Sequence, residues 1–234
     1  MIPLRDANPT RRRAVVTIGL IALNAVIFAY ELILEEGPTA DLEAFFTTLG
    51  VVPVALVEAL RQGSWLSGET FALLSHQFLH AGLLHLGFNM LYLWIFGNNV
   101  EDLLGRLPFL AFYLAGGIVA AVAEVAYQTV SGGPASAPLV GASGAIAAVL
   151  GAYLVWFPRA RVLSVVYLGL FFQLVQVPAL IVLGLFFVLQ LLAGVAALSA
   201  PASVGGIAYF AHIGGFVMGL LVALALRAGR VVRL

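Results

Sequence analysis

Long apolar runs that are almost free of charge divide this chain, and no other feature limits its folding as much. Crossing about 30 Å of hydrocarbon takes roughly 20 helical residues, and residues 15–34 form such a run with Glu31 as its single charge. Comparable runs cover residues 82–96, 107–128, 139–157, 179–198 and 207–226. Of 234 residues, 62% are hydrophobic and 9% charged, at a mean hydropathy of +1.08. A water-soluble fold of this size could not bury that much apolar side chain. The expected architecture is an all-α, polytopic membrane protein with six spans. Residues 1–14 would form a cytoplasmic N-terminal segment, 15–227 the membrane domain and 228–234 a cytoplasmic tail. The first run lacks a small-residue cleavage site and is read as an uncleaved helix.

Two segments fit this scheme less directly. Residues 39–82 are of mixed polarity, and Gly50, Pro53, Gly63 and Gly68 divide them into expected short interfacial helices. Residues 162–177 are apolar and lead straight into the fifth span; Pro178 marks them as a shallow or partial membrane segment that ends before the next helix.

The basic residues test the count. All 11 are arginines, balanced by 11 acids. Six alternating spans place Arg5, Arg11, Arg12, Arg13, Arg106, Arg159, Arg161, Arg227, Arg230 and Arg233 on one side and only Arg61 on the other. That bias predicts cytoplasmic termini in the cell inner membrane, with the second, fourth and sixth spans beginning at the outer face. The balanced charge offers no cationic surface for nucleic acid.

Composition also prunes the chemistry. Lysine and cysteine are absent, which excludes Schiff bases, a Ser-Lys dyad, thiol catalysis, disulfides and Cys-ligated metals. No acid follows Glu124, so His212 is the only side-chain base candidate near neutral pH in the C-terminal half.

Three polar sets lie toward the outer ends of spans. His76, His80, His85 and Asn89 run into the second, with His85 and Asn89 on one helical face. Interhelical hydrogen bonding, support of a reaction site and a zinc site are the open readings of this segment. In the fourth span, Gly141-Ala142-Ser143-Gly144-Ala145 presents a hydroxyl among residues with little side chain. Helix packing alone could explain it, since Gly144 with Ala148 and Ala147 with Gly151 are spaced for close contact. In the sixth, His212 stands above Gly215 and Gly219. An intramembrane ionisable residue points to function, and alternation puts Ser143 and His212 at comparable depth. With the only nearby acid, Glu124, on span three, a Ser-His dyad is more economical than a triad. Asn89, His85 and the Ser143 backbone N–H are the available oxyanion donors if spans two and four adjoin. The isolated Asn24 and Gln190 read as packing partners.

Taken together, His76, His80, His85 and Asn89, Gly97 and Glu101, Gly141 to Gly144, and Ala211-His212 with Gly215 and Gly219 resemble the rhomboid family of intramembrane serine proteases. The resemblance covers roughly residues 69–226. It implies a rhomboid-like six-transmembrane helix bundle with Ser143 as nucleophile, His212 as general base and acid, and His85 and Asn89 as the side-chain part of the oxyanion hole. It also implies a supporting role for His80, a tight contact between spans six and four at Gly215 and Gly219, and a mobile fifth span. The sequence departs from the family in two places. Phe71-Ala72 stands where Trp-Arg is common, and Ala147 replaces an aromatic that would stack on the histidine, so another aromatic from a neighbouring span is expected there.

The resulting expectation is an endopeptidase that cleaves transmembrane segments near the outer interface, with single-span or multi-span membrane proteins and membrane lipid as partners. No nucleic acid, cofactor or metal is expected, and the working form is expected to be monomeric. A catalytically silent rhomboid-like binding or quality-control factor is the alternative. A small transporter is a more distant one, since internal repeats and paired intramembrane charges are not evident.

Overall fold

The computed structural model describes residues 1–131, 136–168, 171–198 and 208–229. Among the described residues, four helices are long and apolar enough to cross a membrane: α1 (Val15–Glu35), α7 (Arg106–Ser131), α9 (Ala179–Ala197) and α10 (Tyr209–Ala228). A fifth candidate is composite: the helical stretches Gly68–Phe78 and Leu83–Leu104 are long and apolar enough only when taken together, and they are bent by 79° at the break. Helix α5 (Leu83–Tyr92) continues through a π-helical turn at Leu93–Gly97 into α6 (Asn98–Leu104), so this run extends past the expected end at Phe96. The expected start of the sixth span at Ile207, and Arg230 and Arg233, lie outside the described residues.

The remaining helix, α8 (Ser143–Trp156), has 14 residues, about 21 Å at 1.5 Å per residue. It starts later than the expected Leu139 because Pro138 and the positive φ of Gly141 hold the preceding residues out of helix. An apolar stripe on every face buries a helix completely, and α8 is such a case, packed against α7, α9, α10 and the composite pass. Its Tyr153 and Trp156 join Phe96, Phe109, Tyr113 and Phe216 in the main core. Together these helices form the all-α membrane bundle.

Residues 39–82 fold as the sequence suggests. Helices α2 (Thr39–Leu49), α3 (Pro53–Arg61) and α4 (Gly68–Ser75) are short and broken at the expected positions. Ser67 and Thr70 form a capping box at the start of α4. A small second core of Val51, Leu56, Ala72, Ala121 and Val125 ties this region to α7. The loop is therefore held by apolar packing where the family pattern has an arginine, and Ala72 is buried within that packing.

The 162–177 segment, expected to be a shallow or partial membrane segment, forms a β-hairpin, β2 (Arg161–Leu168) and β3 (Phe171–Pro178), and its strands pair in register from Arg161–Pro178 to Leu168–Phe171. Short apolar runs do not distinguish strand from helix by periodicity. Here the backbone polar groups are satisfied by pairing, and β1 (Ile2–Asp6) adds a third antiparallel strand in the order β1-β2-β3. A lone hairpin is marginally stable, so the third strand matters. Residues 1–14 are thus pinned to the bundle. The Tyr153 hydroxyl donates to Asp6 Oδ2 at 2.7 Å. Burial pushes the Asp6 carboxyl above the usual carboxylate range, against the lowering effect of that hydrogen bond.

Adjacent acids on α6 complete the anchoring. Asp102 accepts the backbone N–H groups of Arg11 and Arg12, each at 2.9 Å. Glu101 accepts those of Val16 at 2.9 Å and Thr17 at 2.7 Å, with the Thr17 hydroxyl at 2.8 Å. A helix start leaves such donors unpaired, and α1 has no side-chain cap of its own. Gly97, one turn before Glu101, allows this approach: a Cβ there would lie 3.2 Å from Thr17 Cγ2.

Candidate active site

The site follows from how closely α8 and α10 approach. A Cβ at Gly215 would run into the Gly144 carbonyl, one at Gly219 into the Ala148 carbonyl, and one at Gly151 into the Phe216 carbonyl. Three glycines on facing surfaces let two backbones touch, which is how membrane helices gain van der Waals contact in lipid. Ser143 directly precedes Gly144, and His212 lies one turn before Gly215. The contact that joins the helices therefore also joins these side chains, and His212 Nε2 lies 2.8 Å from Ser143 Oγ.

The loop leading into α8 sets the position of Ser143. Val51 and Leu139 exchange backbone hydrogen bonds of 3.0 and 2.8 Å, and the Gly141 N–H donates to the His76 carbonyl at 2.9 Å. Gly141 has φ +127°, a conformation that side chains disfavour. A Cβ there would also stand 2.8 Å from His85 Nε2 and 3.8 Å from Ser143 Oγ. The missing side chain leaves the His85 ring edge beside the serine. Ser143 is the first residue of α8, so the unpaired N–H groups of the first turn and the positive end of the helix dipole lie at the same point.

The other polar residues leading into the second span take distinct positions. His76 Nδ1 is 2.9 Å from the Ala72 carbonyl, which fixes that ring within its own turn. The His80 N–H donates to both oxygens of Glu31 on α1, at 3.1 and 3.3 Å, and the His80 ring stands edge-on to His85 with centroids 5.0 Å apart. Asn89 is buried one turn deeper than His85, and its Nδ2 has no hydrogen-bond partner among the described residues. Among the described residues, no group of three or more His, Cys, Asp or Glu side chains is placed to hold a metal ion.

Of three contacts to His212 or its neighbour, those of Gln190 and Glu124 were not foreseen from the sequence, whereas an aromatic from a neighbouring span was expected. His212 Nδ1 lies 2.9 Å from Gln190 Oε1 on α9, so Gln190 is more than a packing partner. Phe186, one turn earlier on α9, brings its ring centroid to 6.4 Å from the imidazole and 6.4 Å from Phe216. It supplies the aromatic neighbour that Ala147 lacks. Glu124 Oε2 accepts the Ala211 N–H at 3.1 Å, and Oε1 accepts from Gln128 at 3.1 Å. That carboxylate caps the start of α10 next to His212 without a hydrogen bond to the imidazole. Only Gln190 carried a visible signal, as the sole hydrogen-bonding side chain in α9.

A polytopic helical bundle with a hydrogen-bonded serine and histidine on its two most closely packed helices is a narrow class. The model of the Rhomboid domain matches residues 67–229, and the chain belongs to the rhomboid family. It is 32% identical over 152 residues to Rhomboid protein 1, mitochondrial, of Saccharomyces cerevisiae, covering 64% of this chain and 40% of that protein. It is 38% identical over 84 residues to Presenilin-associated rhomboid-like protein A, mitochondrial, of Danio rerio, covering 36% of this chain and 21% of the relative. With Rhomboid protease GluP of Bacillus subtilis it shares 42% identity over 87 residues, or 37% of this chain and 16% of the relative. The chain thus spans less than half the length of each of these relatives.

Proposed function

We propose that this protein is an intramembrane serine endopeptidase that cleaves transmembrane segments of membrane proteins near the outer interface. The observation that carries this reading is the 2.8 Å contact between Ser143 Oγ and His212 Nε2. The contact is within the range expected of a nucleophile and its base. Membership of a family that includes a named protease supports it.

In this reading a substrate segment unwinds beside α8. Ser143 attacks a backbone carbonyl while His212 takes its proton, and His212 then gives that proton to the leaving amine. The oxyanion forms at the head of α8, where the Ser143 N–H, the His85 ring and the unpaired Asn89 amide are the donors. Water hydrolyses the acyl-enzyme with His212 again as base. The arginine bias supports cytoplasmic termini and an active site open toward the outer face, and the proposed location is the cell inner membrane. Membrane proteins with one or several spans are the proposed substrates, and the monomer is the proposed working form.

The test is cleavage of labelled single-span substrates by the purified protein in liposomes, alongside Ser143→Ala and His212→Ala. Ser143→Ala is expected to fall to background and His212→Ala by at least about a hundredfold. Equal cleavage by all three would defeat the assignment. Tight substrate binding with no turnover by the intact protein would instead favour the silent, quality-control alternative.

A further inference from the structure

A histidine acting as a base on Ser143 must present an unprotonated Nε2, which requires the neutral ring to carry its proton on Nδ1. Which nitrogen holds the proton is set by the partner of the other one. In this protein the partner of Nδ1 is the side-chain oxygen of Gln190, at 2.9 Å. An amide oxygen only accepts, so in this arrangement Nδ1 is the donor and Nε2 is left to accept from the Ser143 hydroxyl at 2.8 Å. The carboxylate nearest this point, Glu124, is committed to the Ala211 N–H and Gln128. No acid occupies the place that an aspartate or glutamate takes in a triad.

We propose that Gln190 is a positioning residue that holds His212 in the Nδ1–H tautomer facing Ser143, making the site a three-member Ser143–His212–Gln190 chain. This rests on the protease reading above. The neutral amide orients the ring as a carboxylate would, without placing a charge in the bilayer. The three members come from α8, α10 and α9, so the ring is fixed only while α9 is seated. Phe186 on the same helix limits the ring from another side.

The test uses the full-length protein in liposomes, with Gln190→Leu to remove the acceptor at similar size and Gln190→Glu to keep it. With four histidines in the chain, ¹⁵N-histidine labelling is tractable, and the His212 signal is identified by its loss in His212→Ala. The wild type is expected to show the proton on Nδ1. In Gln190→Leu the tautomers mix, and both kcat and the rate of Ser143 labelling by a fluorophosphonate fall about tenfold, the worth of one hydrogen bond, while KM stays within about twofold. Gln190→Glu keeps the Nδ1–H signal and labels within about threefold of wild type. Its pH–rate profile shifts upward, because a nearby carboxylate favours the imidazolium.

A wild-type proton on Nε2 overturns the proposal, whether or not the leucine variant folds. So does an unchanged rate and tautomer in a folded Gln190→Leu, or a Gln190→Glu that folds but loses as much activity as the leucine variant. If the wild type neither cleaves nor labels, the protease reading fails. The tautomer measurement needs no turnover and still decides what Gln190 does to His212.

Discussion

Helices α9 and α10 both border α8, and they meet it in opposite ways. Along α10, glycines bring backbone against backbone, with Gly215 and Gly219 leaving no room for a methyl group. Along α9, Gly184 faces open space, and 22% of the most apolar stretch is buried, against 28% for α10. Its Leu185, Leu189 and Leu192 point outward, as lipid-facing side chains do. The rigid contact carries Ser143 and His212, while the loose helix carries the two groups that border the His212 ring, Gln190 and Phe186. Ser143 and His212 thus sit on a contact of backbone against backbone, and the groups that border the imidazole come from the more exposed helix.

That contrast can be broken most directly at Gly219. Gly219→Val places a branched side chain against the Ala148 carbonyl, and neither backbone can yield without separating α8 from α10. A loss of at least about 3 kcal/mol is expected, at or beyond the upper range of overpacking, together with loss of Ser143 labelling. Thermal unfolding in detergent and fluorophosphonate labelling read the two effects, and a valine variant of wild-type stability would refute the rigid contact.

A smaller effect is expected at Phe186, where α9 reaches the site. Phe186→Ala removes an aromatic neighbour of His212 and Phe216, worth about 0.5–1.5 kcal/mol. The labelling rate should fall about threefold, and more than a similar truncation at lipid-facing Leu192 would cause. Equal effects at the two positions would mean that α9 does not touch the chemistry.

The smallest effect, of opposite sign, belongs to Gly184. With nothing within 4 Å of an added Cβ, Gly184→Ala should stabilise by up to about 1 kcal/mol through helix propensity. A clear loss of thermal stability would show that α9 is packed as closely as α10.

Much of this was legible in the residues, for reasons that differ from one part to another. The broken helices of the 39–82 loop could be read because glycine and proline act locally. The glycine face of α10 was visible as spacing alone, and the structure gives it a partner in Gly144 and Ala148. The hairpin at 162–177 was not legible: its strand β2 is completed by residues 2–6, far away in the chain, and no local pattern reports such pairing. Glu124 illustrates the same limit. Its distance from His212 in sequence gave no sign that it would cap α10 one residue away.

From its amino acids alone the chain was bound to the membrane, because no soluble fold could hide its apolar surface. Any side-chain base near neutral pH beyond position 124 was bound to be a histidine, because the chain holds no lysine, no cysteine and no later acid. Those are matters of inventory, settled before any folding. The distance from Ser143 to His212, the amide that orients the imidazole and the strand that joins the N-terminus to the hairpin were decided only by tertiary packing. Each depends on which surfaces come together, and helix contacts and strand pairs are made between segments that carry no local record of one another.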